Sequence, residues 1–570
     1  MAFIVKKVIN GRDYYYLRES IREGDRVISR DIAYLGKNKK EAEIKMKEIL
    51  HRDEKEKTGD SELLKTKKEF HKNIKFENSV SDKISIEELA NFCKRKGFVF
   101  RSSDIYGGFS GFWDYGHLGV ELFNNIKKLW WDYFVMQKDN IIGMESSIVS
   151  HPKVWKASGH ISNFSDVSVK CMKCKKFNKV DKFELDKAKC SFCGGELDKG
   201  SAKDLNLMFK TQVGPVEEDS LLSYLRPETA QGMFINFKLI QQTSRMQLPF
   251  GIAQIGRCFR NEIAPRDFLF RSREFHIAEF EFFINPYENK CELLDDKHLN
   301  LRFNLLDAET QKQEKSGLKE VSIGEILKEG KLDEWHAYWL AEQILWFKKL
   351  GLEKDIKIRE HMKNELSHYS SATFDLDYEY PFGSKEIAGI ANRGQYDLTQ
   401  HQNESKESFE IFDDKIGKKV IPRVIEPTFG IERIFLAILT KAYHYDKERE
   451  NVVLKIPAFL APVKAGIFPI VKNKEFIGIA YKVKEILKKD FKVIYDDGGT
   501  IGRRYARQDE IGTPFCITID GDSIKNKDVT IRERDTTRQI RVKISSLKET
   551  FEKLIRNEID FEDAGAILKA

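Results

Sequence analysis

The sequence predicts a multidomain α+β protein. A central domain of antiparallel strands flanked by helices carries a four-cysteine knuckle and a helical insertion; a small β-hairpin precedes it and an α/β domain follows. Three observations carry this expectation. Residues 252–260 and the alternating run that ends at 283 read as two antiparallel strands, because the break at Pro265 to Asp267 opens a loop too long for a tight hairpin. Cys171, Cys174, Cys190 and Cys193 stand in two C-x2-C pairs. Beyond Pro457 a strand (466–471), a helix and a strand (491–495) follow one another, the pattern of a separate small α/β domain.

Length and composition bound the rest. A chain of 570 residues exceeds one core and suggests about three to four domains. With 41% hydrophobic and 33% charged residues, most of it reads as globular. Its longest apolar candidates, such as 434–439, fall far short of the roughly 20 residues that span a bilayer. Residues 1–6 are too short an apolar run for a secretory signal, so the expected location is the cytoplasm. A net charge of +7, from 97 basic and 90 acidic residues, permits a nucleic-acid partner without requiring one.

Residues 1–36 alternate around Tyr14, Tyr15, Tyr16 and Leu17, turn at 23–25 and run through Val27, Ile28 and Ile32 to Gly36. This basic hairpin could stack on RNA or simply close a domain edge. Residues 37–84 are rich in Lys and Glu, with Ala42, Met46 and Leu50 at helical spacing, and read as a solvated helical linker. The main domain is expected over 85–456. In it Leu122, Ile126, Leu129, Trp130 and Tyr133 form the stripe of one long amphipathic helix, serving a core or an oligomer interface. Residues 300–364, again Lys- and Glu-rich with short helical runs such as Trp335 to Leu350, are expected as an insertion on the main domain. In the closing domain, 457–570, Phe476, Ala480, Val483 and Leu487 share one helix face.

The four cysteines follow C-x2-C-x15-C-x2-C, so two tight turns can offer four thiolates to one tetrahedral Zn²⁺ within a knuckle at 168–198. Accidental spacing of reduced cysteines is the alternative. Four protein ligands leave no position for water, so the metal is expected to be structural.

The chemistry concentrates in Phe259-Arg260-Asn261-Glu262 and Arg271-Ser272-Arg273-Glu274-Phe275. The two strands set Arg260, Glu262, Phe275 and Glu279 above one sheet. An arginine can fork onto a phosphate, a phenylalanine can stack on a purine, and a carboxylate can accept an amino group. These groups suit an adenylating enzyme; a surface sheet laced with ion pairs would need only some of them. In a second patch, 424–436, an apolar strand passes through Pro427 and Gly430 into a helix, so Arg433 lies in the first turn, where the helix dipole adds to its attraction for phosphate.

These stretches resemble motifs 2 and 3 of the class II aminoacyl-tRNA synthetases, and in detail those of the homodimeric glycyl-tRNA synthetases. Arg226-Pro227-Glu228-Thr229-Ala230-Gln231-Gly232, Trp155 to His160 and Pro381 to Ala391 are similar to the same family, in the same order, from about Phe98 to Lys548. The resemblance implies a class II antiparallel sheet and catalytic roles for Arg260 and Arg433. It implies an ATP site of Arg260, Asn261, Glu262, Arg271, Ser272, Phe275, Glu386, Ile387, Gly430 and Arg433, with Mg²⁺ near Glu386 and Ile387. Glycine-binding positions would be Glu228, Glu279, Glu426, Pro427 and Thr428, and crowded carboxylates there would draw the substrate ammonium and exclude any β-carbon. Every competing amino acid is larger, so no editing domain is required. The partners implied are glycine, ATP, tRNA(Gly) and a second copy of the chain. Ser384, Lys385, Gly394, Gln395 and His276 depart from the family's pattern beside the site.

The last domain resembles the anticodon-binding domain of the glycyl, threonyl, prolyl and histidyl enzymes. Arg503, Arg504, Arg507, Arg532 and Arg534 there offer a basic RNA surface, against the alternative of internal pairing with Asp497, Asp509, Glu510 and Glu533. Two rival readings are another class II synthetase with the same last domain, disfavoured by the carboxylates, and a noncatalytic nucleic-acid-binding relative, disfavoured by the retained Arg260, Glu262, Arg271 and Arg433.

Overall fold

The computed structural model describes the backbone of residues 2–9, 12–23 and 26–36, and residues 84–180, 185, 188–215, 221–312, 317–366 and 370–568. The chain divides into two units, at Asp82 and Lys83. In the first, β1 (Ala2–Ile9), β2 (Arg12–Glu23) and β3 (Arg26–Gly36) form an antiparallel meander. The expected hairpin is its β2–β3 half, with Glu23 opposite Arg26. The extra strand escapes a pattern reading because the adjacent Lys6 and Lys7 break its alternation. The linker helix expected over 37–83, with Ala42, Met46 and Leu50, lies outside the described residues.

The second unit is built on a nine-stranded sheet. Its strands are β4 (Ile141–Gly143), β5 (Phe250–Phe259), β6 (Glu274–Ile284), β7 (Arg302–Leu306), β8 (Lys319–Ser322), β9 (Ile356–Glu360), β10 (Ala372–Tyr380), β11 (Gly383–Gly394) and β12 (Arg423–Gly430). The order is β8-β7-β9-β10-β11-β12-β6-β5-β4, antiparallel except at β7–β9 and β5–β4. As expected, β5 and β6 pair antiparallel, from Phe250 opposite Phe283 to Phe259 opposite Glu274. Strand alternation divides β6 between two environments: Phe280 and Phe282 enter the aromatic core, while Glu279 and Glu281 stand on the opposite face.

The amphipathic stripe is core. In α1 (Gly119–Trp131), Leu122, Ile126 and Trp130 are fully buried, and Trp130 lies 5.9 Å from Phe429 and 6.3 Å from Phe280. Across the opposite face runs α2 (Ala230–Ser244).

Residues 300–364, expected as an insertion, extend one edge of this sheet. They supply β7, β8 and β9, and with them α3 (Glu334–Lys349), whose Asp333 cap accepts from the His336 amide at 2.9 Å. That helix is buried on nearly all sides: Trp339 packs 4.7 Å from Phe280 and Trp335 5.1 Å from Phe282. It is the helical run that the sequence offers at Trp335 to Leu350.

The closing domain has a six-stranded sheet whose parallel part joins Ala465–Pro469, Val493–Tyr495 and Phe515–Ile519. Its helix Lys474–Leu487 buries Ala480, Val483 and Leu487 against that sheet, with Phe476 partly covered. Among the described residues no helix is long and apolar enough to cross a membrane.

Candidate active site

A cavity of about 210 Å³ opens over the end of the β5–β6 pair. Of the expected nucleotide residues, Arg260, Glu262, Arg271, Ser272, Phe275, Glu386, Gly430 and Arg433 line it. Arg260 leaves the end of β5, where its Nε donates to the Pro227 carbonyl at 3.1 Å, and its guanidinium lies 5.3 Å from the Phe275 ring. Arg433, in the first turn of α5 (Ile431–Ala442), donates to the Glu386 carbonyl at 3.0 Å and meets the Glu386 carboxylate at 3.1 Å. It also covers the Phe270 ring at 4.5 Å. Both arginines are thus held at one edge and face the cavity with the rest.

Two expected residues stand elsewhere. The Asn261 amide donates to the Leu207 carbonyl at 2.7 Å, and the cavity lining omits its side chain. Ile387 is fully buried in the core, because it follows Glu386 on a strand and alternation turns it inward. The departures have local accounts. His276 lines the cavity with a partner of its own, Glu432, which accepts from its amide at 2.7 Å and pairs with its ring at 2.9 Å. Gln395 donates to the Ile421 carbonyl at 2.6 Å, and Gly394 has φ +58, the left-handed region that favours glycine. Ser384 and Lys385 pair with Glu379 and Tyr378 along β11 and lie outside the lining.

Below the cavity sits a cradle of buried carboxylates. Glu279 accepts from the Thr229 amide at 2.8 Å, from the Thr229 hydroxyl, and from the Thr428 hydroxyl at 3.3 Å. Glu228 meets His160 at 3.2 Å and accepts from Gln231 at 3.0 Å. Glu426 accepts from Arg393 at 2.9 Å. Pro427 is not part of the cradle: it lies opposite Ile390, and alternation puts it on the other face from Glu426 and Thr428. Thr428 itself lines the cavity, so the two compartments meet there.

Arg393 organises the cradle and was absent from the sequence expectation. It is 1% exposed and forks onto Asp397 of α4 (Tyr396–Ser405), both bonds at 2.8 Å, while it also reaches Glu426. A lone arginine in the apolar run of β11 was the available signal. Lys179, from the knuckle strand Phe177–Val180, is a second unexpected residue of the cavity lining. Arg226 ties the segment that carries Glu228 to its neighbours: it donates to the Arg257 carbonyl at 2.8 Å and the Ser146 carbonyl at 2.7 Å. Its closeness requires Gly256, where a Cβ would stand 2.4 Å from the Arg226 guanidinium.

The carboxylates do not share one charge state. Burial pushes Glu228 up, but His160, Arg393 and Gln231 outweigh it and hold this carboxyl well below its usual range. Burial and the Glu228 charge push Glu279 up, and burial with the Glu279 and Glu228 charges takes Glu426 to about 8 despite Arg393. One firmly ionised carboxylate beside reluctant neighbours is a receptor for an ammonium group.

The four knuckle sulfurs lie within 4.8 Å of one another, with Cys171–Cys193 and Cys174–Cys190 both at 3.6 Å. Four thiolates bound at about 2.3 Å around a tetrahedral Zn²⁺ require nearly that spacing. The knuckle is rooted beside the cavity, where Phe164 lies 5.4 Å from the Arg260 guanidinium.

The five arginines of the closing domain divide. Arg504, Arg532 and Arg534 are buried, which corrects their expected place on an RNA surface. Arg504 donates to the Gly499 and Pro469 carbonyls, Arg532 forks onto Asp509 with both bonds at 3.0 Å, and Arg534 reaches the Ile456 and Gly512 carbonyls at 2.9 Å. Arg503 and Arg507 are exposed, the latter paired with Asp496 at 2.5 Å.

A family model described as an anticodon binding domain matches residues 464–554. The chain is 39% identical over 487 residues to a glycine–tRNA ligase of Treponema denticola, covering 83% of this chain and 98% of that one. It is 41% identical over 471 residues to one of Borreliella burgdorferi, covering 81% and 96%. It is 40% identical over 502 residues to one of Bacillus cereus, covering 83% and 99%.

Proposed function

The chain belongs to the glycine–tRNA ligases, and from that premise we propose how its residues divide the work of activating glycine with ATP and passing it to the 3′ end of tRNA(Gly). The observation that carries the proposal is the junction at Thr428, where the cavity that holds Arg260 and Arg433 meets the carboxylate cradle.

Phe275 stacks on adenine and Glu262 meets its amino edge. Arg433 holds the outer phosphates, and Glu386 beside it would bind Mg²⁺, which supplies further neutralisation of the triphosphate. Glu228, Glu279 and Glu426, with Thr428, receive the glycine ammonium. The glycine carboxylate then attacks the α-phosphorus, with Arg260 neutralising the charge that develops there and Arg433 the departing pyrophosphate. No covalent intermediate with the enzyme is needed, because positioning and preorganised charge lower the barrier. The tRNA 3′-terminal adenosine finally takes the glycyl group from the adenylate.

Residues 85–456 form the catalytic domain in this reading and 457–570 the anticodon-binding domain, where Arg503 and Arg507 face the RNA. The four cysteines would hold a zinc ion that crosslinks the knuckle and takes no part in the reaction; elemental analysis should find one zinc per chain, and none would sink the assignment. A cytoplasmic, thiol-reducing location suits those cysteines, and class II likeness supports a homodimer. ATP–pyrophosphate exchange with each amino acid tests the substrate assignment. Glycine alone should support it, and exchange with alanine at a comparable rate would refute the cradle as a glycine receptor.

A further inference from the structure

Glu281 is the carboxylate that the proposed reaction leaves unused. It follows Glu279 by one strand period on the same face of β6, opposite Ile252 of β5, and is fully buried. Neither of its carboxyl oxygens has a hydrogen-bond partner among the described residues. Yet one carboxyl oxygen from each of Glu279, Glu281 and Glu426 lies within 4.8 Å of the others.

Its neighbours favour the neutral form. The charges that act on it most are Glu279 on its own strand, Glu426 on β12, Arg393 on β11 and Asp397 on α4. Arg393, the one cation among them, already forks onto Asp397 and reaches Glu426. On α2, Gln231 donates to Glu228 and Asp397, and Arg393 lies on the Phe234 ring at 5.3 Å. A buried carboxylate without a hydrogen bond, beside two others, is among the costliest arrangements a protein interior can hold. A single proton cancels the charge and turns one of the two oxygens into a donor towards the neighbouring carboxyl oxygens.

We propose that Glu281 is held as a neutral carboxylic acid, a positioning residue whose hydroxyl donates to the Glu279–Glu426 pair and so sets the two carboxylates that meet the substrate ammonium. This rests on the reading of the cradle as the glycine receptor. It explains how so many acidic groups fit around one arginine without repelling one another apart, and it makes glycine affinity depend on a proton that glycine never touches. Burial and the adjacent Glu426 push the Glu281 carboxyl well above the usual range, in keeping with the geometry. When alkaline pH removes the proton, the added charge should splay Glu279 and Glu426 and weaken glycine alone.

The test compares Glu281→Gln, neutral at every pH and of the same shape, with Glu281→Ala and the wild type, in glycine-dependent pyrophosphate exchange from about pH 6 to 9. The glutamine variant should keep the glycine KM within about twofold at neutral pH and climb less than the wild type on the alkaline side, where only the titration of Glu426, near 8, is common to both. The alanine variant should raise it more than about tenfold, and the ATP KM should move in neither. Thermal unfolding gives an independent readout. A carboxyl whose pKa is raised by folding withdraws stability as pH rises from its unfolded value, near 4.3, towards its folded one. The melting temperature of Glu281→Gln should therefore gain on that of the wild type as pH rises through that interval. The proposal is overturned if Glu281→Gln weakens glycine as strongly as Glu279→Gln, which would make Glu281 an ionised ligand of the ammonium. It is overturned equally if the glutamine variant follows the wild-type pH profile, or if the alanine variant is silent. A wild type without glycine-dependent exchange would instead sink the cradle reading itself.

Discussion

Arginines do opposite jobs in the two halves of the second unit. In the cavity the Arg260 side chain donates one described hydrogen bond, to the Pro227 carbonyl, and the Arg433 side chain donates to Glu386 and lies on the Phe270 ring, so each presents further donors to an open space. In the closing domain Arg532 and Arg534 meet carboxylates or carbonyls on both sides and are 6% and 3% exposed. The same residue type keeps donors turned to the cavity in one place and spends them on the fold in the other. What separates them is how many donors the fold has already consumed.

That contrast can be broken by substitution. Arg260→Ala should lower kcat/KM for glycine-dependent exchange by about a thousandfold, as for loss of a preorganised donor at a developing charge, and leave the melting temperature near that of the wild type. Unaltered exchange would place Arg260 with the arginines spent on the fold. Arg532→Ala should do the reverse. Asp509 would keep only Arg449, at 3.3 Å, as a described ion-pair partner, and the loss should cost about 3 kcal/mol of stability while the adenylate step persists. Denaturant unfolding measures it, and a silent variant would contradict the buried fork. The smallest effect is expected at the exposed pair. Arg503→Ala and Arg507→Ala should leave exchange and stability unchanged, weaken tRNA binding, and each reduce its salt-dependence slope by about 1. Slopes equal to the wild type would move the RNA surface elsewhere.

The contrast also marks where the sequence was legible. Arg260, Glu262, Phe275 and Glu279 could be read because two alternating strands and a loop fix their faces, and Arg433 because a strand passes through glycine into a helix. Whether an arginine is consumed by carbonyls is invisible in a sequence, since every residue carries that acceptor; hence Arg504 and Arg534 read as basic surface. Arg393 stayed hidden because its partners Asp397 and Glu426 come from a helix and a distant strand that only the fold assembles. Asn261, Ile387 and Pro427 sit within the right motifs, but backbone direction turns them away. In residues 300–364 the helix was legible, but not that its Trp335, Trp339 and Trp346 are almost wholly buried, because that depends on strands before and after it.

The central claim is that the cradle, and Glu279 within it, directs an ATP-activating cavity to glycine. Glu279→Gln keeps the shape and removes the charge, so the two Michaelis constants in pyrophosphate exchange test that claim most directly. The glycine KM should rise by about a hundredfold, as expected for a lost charge-assisted contact of about 3 kcal/mol, with the ATP KM unchanged. A glycine KM equal to that of the wild type, or an ATP KM that rises in step with it, would contradict the account.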